Sequence, residues 1–113
     1  MNRDVHNKLI RDKIPEILKT KGIKFKVSRL SEKQFSKALK NKLLEEAREL
    51  NNTKTKDELL YELSDVLEVY DAILKDNHIS KKDVVKMQQK KRAERGGFDK
   101  RLFLEYTNKK TKK

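Results

Sequence analysis

The chain has 113 residues, 35% of them hydrophobic and 42% charged, and its 30 Lys/Arg against 18 Asp/Glu give a net charge of +12. That length fits one domain with a small core, of the kind long helices often complete by pairing with a second copy. Cys is absent and His occurs twice, which excludes disulfides, thiolate metal sites and a Cys nucleophile and leaves too few ligands for a His-rich zinc site; no apolar run nears the roughly 20 residues of a membrane span.

The first segment, MNRDVHNKLIRD, has no apolar core of the kind a secretion signal carries, so a reduced, cytoplasmic setting is expected. Pro15 suits the first turn of a helix, where its missing N–H costs little. A short helix is predicted over about 14–20, ending near Gly22. In IKFKVSRL (23–30), Ile23, Phe25 and Val27 alternate with basic residues, a strand-like pattern. Ser31, with Gln34 three residues on, opens a long helix through a capping box. Its inward face is read as Phe35, Leu39, Leu43, Ala47 and Leu50, and NNTKTK (51–56) breaks it. Thr55 with Glu58 repeats the capping pattern. The next helix runs to about Asp76 on Leu59, Leu63, Val66, Tyr70, Ile73 and Leu74, spaced by three and four. Ser80 with Asp83 starts a last helix, which Gly96 or Gly97 should stop. RLFLEY (101–106) reads as a short strand able to pair with 23–30. The expected fold is mainly α, with at most a minor two-stranded β element: a domain over 1–106 and a basic tail over 107–113 expected to be disordered.

The acids are not spread evenly. Residues 45–76 hold 10 of the 18 acids and 4 of the 30 bases, a net of −6, while the rest of the chain carries +18. Within that stretch LLEEARELNN and LLYELSDVLE read E-E-x-x-E, twelve residues, E-x-x-D. A helix turns by about 100° per residue. On the second long helix, with its stripe centred near Leu63 and Tyr70, Glu62 and Asp65 fall together on one flank. On the helix before it, with the stripe centred near Leu43, Glu46 and Glu49 do the same, and Glu45 points outward. Four carboxylates at one point repel unless a cation sits between them. An oxygen-only ligand set suits a hard divalent ion, Mg²⁺ before Zn²⁺. Glu46, Glu49, Glu62 and Asp65 are therefore the candidate metal ligands, and an enzyme acting on phosphates is the leading reading. The bland alternative is that acids at i and i+3 simply flank amphipathic helices.

Two basic segments have the chemistry to meet phosphates. NKLIRDKIPEI sets Lys8 and Arg11 three apart, and KKRAERGGFDKR (90–101) groups Lys91, Arg92, Arg95 and Arg101 around two glycines. Arg grips a phosphate through two parallel hydrogen bonds. The phosphate-loop motif G-x-x-x-x-G-K-[ST] is absent.

The acidic pattern over 45–65 resembles that of the all-α MazG-like nucleoside triphosphate pyrophosphohydrolases. NKLIRDKIPEI (7–17) and KRAERGGFDKRLFLE (91–105) are similar to the flanks of the small phosphoribosyl-ATP pyrophosphohydrolase-like branch. The resemblance implies a helical bundle completed by dimerisation, or by a pairing of dimers into a tetramer. It also implies Mg²⁺-dependent hydrolysis of a nucleoside triphosphate, standard or not, to the monophosphate and pyrophosphate, with Mn²⁺ as a substitute ion. In that reading Glu46, Glu49, Glu62 and Asp65 bind the metal. Glu45 or Glu49 accepts the proton of the attacking water, and Lys8, Arg11, Lys91 and Arg95 hold the triphosphate. A different class of function also fits the charge: a basic helical module that binds nucleic acid, or an accessory interaction protein without catalysis. The seven aromatics and the acidic 45–76 stretch argue against a nucleic-acid surface.

Overall fold

A computed structural model of the protein describes residues 2–110. It is mainly helical, with α1 at Ile14–Thr20, α2 at Glu32–Asn51, α3 at Lys56–Asp76 and α4 at Lys81–Arg95. The chain falls into two compact units, Met1–Ser80 and Lys81–Lys113.

Local chemistry accounts for the helix ends. Pro15 sits in the first turn of α1. The helix closes at Gly22, whose φ of +72° is left-handed, with the Ile23 N–H donating to the Leu18 carbonyl at 3.0 Å. Ser31 Oγ accepts from the Gln34 N–H at 3.2 Å, and Gln34 Oε1 accepts from the Ser31 N–H at 3.0 Å, the full capping box. At α3, Thr55 Oγ1 accepts from the Glu58 N–H at 3.1 Å. Thr53 turns its hydroxyl onto the Leu50 carbonyl at 2.8 Å, satisfying the end of α2 before the short connection to α3.

The segment 23–30 is exposed and carries no strand, and neither does 101–106. Alternation alone was not enough: Ile23, Phe25 and Val27 stay about half exposed, at 49%, 42% and 50%, and a strand with no neighbour leaves its backbone to water. The β element allowed for these segments is thus not formed among the described residues. Of the tail 107–113, residues 107–110 have no regular structure and the remainder lies outside the described residues.

In the first unit α2 and α3 pack as an antiparallel pair. Leu39 on α2 and Val69 on α3 are its buried apolar residues. Ser36, near the start of α2, donates to Asp76 at the end of α3, at 2.5 Å. The expected stripe on α3 holds at its C-terminal half, where Val66, Tyr70, Ile73 and Leu74 are half-buried beside buried Val69. It fails at its N-terminal half, where Leu59 and Leu63 remain 38% and 48% exposed and Glu62 is half-buried instead. One residue is about 100° of rotation, so at that end acids expected to flank the stripe lie in the seam instead. On α2 the expected face holds at Phe35, Leu39, Leu43 and Leu50, but Glu46 is buried where Ala47 was expected and Ala47 is exposed.

The second unit is α4 and the extended chain behind it. α4 buries no residue, and Gly96, at a φ of +83°, closes it with its N–H on the Arg92 carbonyl at 2.8 Å.

Candidate metal centre

Near the connection between α2 and α3, the seam turns from apolar to acidic. Glu46 and Glu49 come from the last two turns of α2, and Glu62 from the second turn of α3. One carboxylate oxygen from each lies within 4.8 Å of the others. The three differ in exposure: Glu46 is buried, Glu62 half-buried and Glu49 exposed. The cluster therefore runs from the seam to the surface, with Glu49 at its open side.

Glu46 decides how the site is read. Its side chain is only 8% exposed, yet Oε2 has no hydrogen-bond partner, and the same is true of Glu62 Oε2. A buried, unpaired carboxylate oxygen is costly unless a proton or a cation answers it. Loss of water around the Glu46 carboxyl, followed by the charge of Glu49, pushes its pKa up to about 7; hydrogen bonding with Glu62 and Glu49 and the charge of Asp65 act in the same direction. Glu62 is also pushed up, first by loss of water, while hydrogen bonding with Glu46 pulls it back. The two carboxyls compete for one proton, as carboxyl pairs in a shared dry site do.

One cation touches this trio, and two more hold the acids near it in sequence. Arg11 Nη2 donates to Asp65 Oδ1 at 2.6 Å. Lys42 Nζ reaches Glu45 Oε2 at 3.2 Å and Glu46 Oε1 at 3.6 Å, and Lys8 Nζ lies 3.8 Å from Glu45 Oε1. Asp65 is thus drawn onto Arg11 beside the trio. Glu45 is half-buried between two lysines rather than pointing outward. With every group ionised, the five acids and three cations leave a net charge of −2, which one divalent ion matches.

Lys8 and Arg11 arrive at the acids, and Lys91 and Arg95 belong to the second unit, exposed on α4. Lys42 is the participant that sequence reading passed over. Its signal was present: a Lys three and four residues before Glu45 and Glu46 shares their helix face. Its head group is taken into the seam, with 17% of the side chain exposed. A cleft of about 570 Å³ lies at the other end of the helix pair, lined by Phe35, Ser36, Ala72, Asp76 and His78 among others. It lacks the convergence of acids found here.

The donor set fits a hard divalent cation. All the ligand atoms are oxygens, two of the buried ones lack partners, and the cluster opens to the surface through Glu49. Among the described residues no helix is long and apolar enough to cross a membrane. No family model matches the chain, and neither does any curated protein or solved structure.

Proposed function

We propose that the protein is a Mg²⁺-dependent nucleoside triphosphate pyrophosphohydrolase whose metal is held by Glu46, Glu49 and Glu62, with Asp65 joining them. The observation that carries this reading is Glu46: nine-tenths buried, one oxygen without a partner, and turned toward two more carboxylates. Lys42 answers the other oxygen at 3.6 Å, whereas a buried structural acid normally has both oxygens answered. With every group ionised, the five acids and three bases leave a net charge of −2, which a divalent cation would offset in place of a bound proton. The likeness of residues 7–17, 45–65 and 91–105 to MazG-like enzymes supplies the reaction class.

When bound, Mg²⁺ would lower the pKa of a coordinated water and offset charge on phosphate oxygens. The residues have distinct tasks around that chemistry. Glu46 and Glu62, fixed in the seam, set the inner wall. Glu49, exposed at the mouth, is the carboxylate placed to accept a proton from water. The water oxygen bonds to the α-phosphorus, the bond from that phosphorus to the bridging oxygen breaks, and pyrophosphate leaves with the electron pair. Lys8 and Arg11, at the edge of the site, are the cations placed to meet phosphate oxygens. Glu45, held by Lys8 and Lys42, orients those lysines and is the weaker candidate for the base.

The same reading includes a second copy of the chain. Leu60, Leu63 and Leu67 are 68%, 48% and 50% exposed on an adjoining face of α3. An apolar face of this kind on a helix marks a surface that another helix covers.

Release of pyrophosphate from a panel of ribo- and deoxyribonucleoside triphosphates, with and without Mg²⁺, tests the proposal. Turnover should require the ion and fall at least about a hundredfold in Glu49→Gln and Asp65→Asn. Unchanged turnover in both variants would remove the site assignment. No turnover of any nucleotide, together with salt-sensitive DNA binding, would favour the nucleic-acid module.

A further inference from the structure

Arg11 and Lys8 precede α1, yet both reach acids that lie far along the sequence. Residues 2–12 have no regular secondary structure, and of them only Leu9 and Ile10 are half-buried. The arm is thus pinned at Leu9 and Ile10, with charged residues on either side of the pin. Arg11 makes the short contact, 2.6 Å to Asp65, although 56% of its side chain is exposed; Asp65 is 21% exposed. Its guanidinium touches one acid at the rim, while solvent reaches the rest of it. Ion pairs of this exposure are weak and exchange readily.

A divalent ion among Glu46, Glu49 and Glu62 would bring a second strong positive charge close to that guanidinium. Asp65 is near enough for its charge to act on Glu46 and Glu62, so an ion held by the trio would attract the carboxylate that Arg11 now holds. Like charges repel, and the guanidinium, more than half exposed, has solvent to move into. Once released, a planar cation on a short arm is well suited to a phosphate, which it grips with two bonds instead of one.

We propose that Arg11 is a resident counter-cation of the acidic site, displaced from Asp65 by the divalent ion and then turned to the triphosphate. This rests on the metal reading above and adds an order to it. The ion alone binds against Arg11, and the ion together with a triphosphate binds with its help. Metal and triphosphate are then positively coupled through one side chain, and that coupling is reciprocal.

The test is a Mn²⁺ titration of the full chain, in wild type, Arg11→Gln, Asp65→Asn and the double variant, each alone and with a non-hydrolysable triphosphate. Arg11→Gln should bind Mn²⁺ alone more tightly, by roughly fivefold, and should lose most of the gain that the triphosphate gives wild type. In the Asp65→Asn background the same change should leave Mn²⁺ affinity as it was, since the pair is already broken. Arg11→Lys, which keeps the charge, should stay near wild type for Mn²⁺ alone and recover only part of the triphosphate gain. In wild type, Mg²⁺ should move the Arg11 side-chain N–H resonance toward that of a solvated guanidinium. Saturable Mn²⁺ binding to wild type that is equal or weaker in Arg11→Gln overturns the exchange and leaves the metal site standing. Absence of Mn²⁺ binding in every protein overturns both.

Discussion

Glu46 brings a carboxylate into a seam that its neighbours keep nearly dry, and its proton equilibrium records the cost. Its pKa in the folded protein is about 7 against an ordinary 4.5. Between those values the folded chain holds a proton that the unfolded chain has lost. The contribution to stability is therefore complete below the ordinary value and is lost as pH rises through about 7. The metal-free protein should melt at a lower temperature at about pH 8 than at about pH 5.5, and Glu46→Gln should flatten much of that slope. Added Mg²⁺ should reverse the slope in wild type, since the ionised carboxylates bind the ion and metal binding releases protons; thermal scans across pH with and without Mg²⁺ check both. The acids of this site were legible in E-E-x-x-E and E-x-x-D, because residues three apart on a helix share a face. Lys42 was passed over because attention to acids hides the base that the helix sets beside them, and the Arg11–Asp65 pair spans 54 positions, a separation no local pattern reaches.

Helix ends and helix faces were not equally readable. Ser31 and Thr55 were found as caps because the signal is a hydroxyl and a spacing, and the chemistry is local. Ser31→Ala and Thr55→Ala should each cost about 1 kcal/mol in denaturant unfolding. The α3 face was read correctly at Val66, Tyr70, Ile73 and Leu74 and missed at Leu59 and Leu63 for a physical reason. Leu59, Leu60, Leu63, Val66, Leu67, Val69, Tyr70 and Ile73 spread around more of the helix than one neighbour can cover, so periodicity does not say which part meets α2. Packing buries Val69 there, as it buries Leu39 on α2. Leu39 is 3% exposed, and Leu39→Ala should destabilise the unit by roughly 2–4 kcal/mol. Measurement of the denaturant midpoint distinguishes this from the smaller effect expected at exposed Leu44. The strand expected over 23–30 failed on the opposite problem: a clean alternation with no partner.

Across the whole molecule, a strongly basic chain keeps ten of its 18 acids in residues 45–76, which span the end of α2 and all of α3. On the proposed function, the chain's net charge of +12 would draw anions toward the protein, and the acids would retain the cation that makes an anion welcome. The apolar face of α3 is where a second copy belongs in this account. Leu63→Lys with Leu67→Lys should shift sedimentation equilibrium from dimer to monomer; an unchanged mass would place the subunit contact elsewhere or remove it. The central claim is narrower than either fold or assembly: that Glu46, Glu49 and Glu62 together hold a divalent ion. The most direct measurement is an anomalous difference map from crystals of the protein loaded with Mn²⁺. The account predicts one or more peaks among these three carboxylates, with oxygen ligands at about 2.1–2.3 Å. A map with no peak there under saturating Mn²⁺, with the three side chains in place, would contradict it.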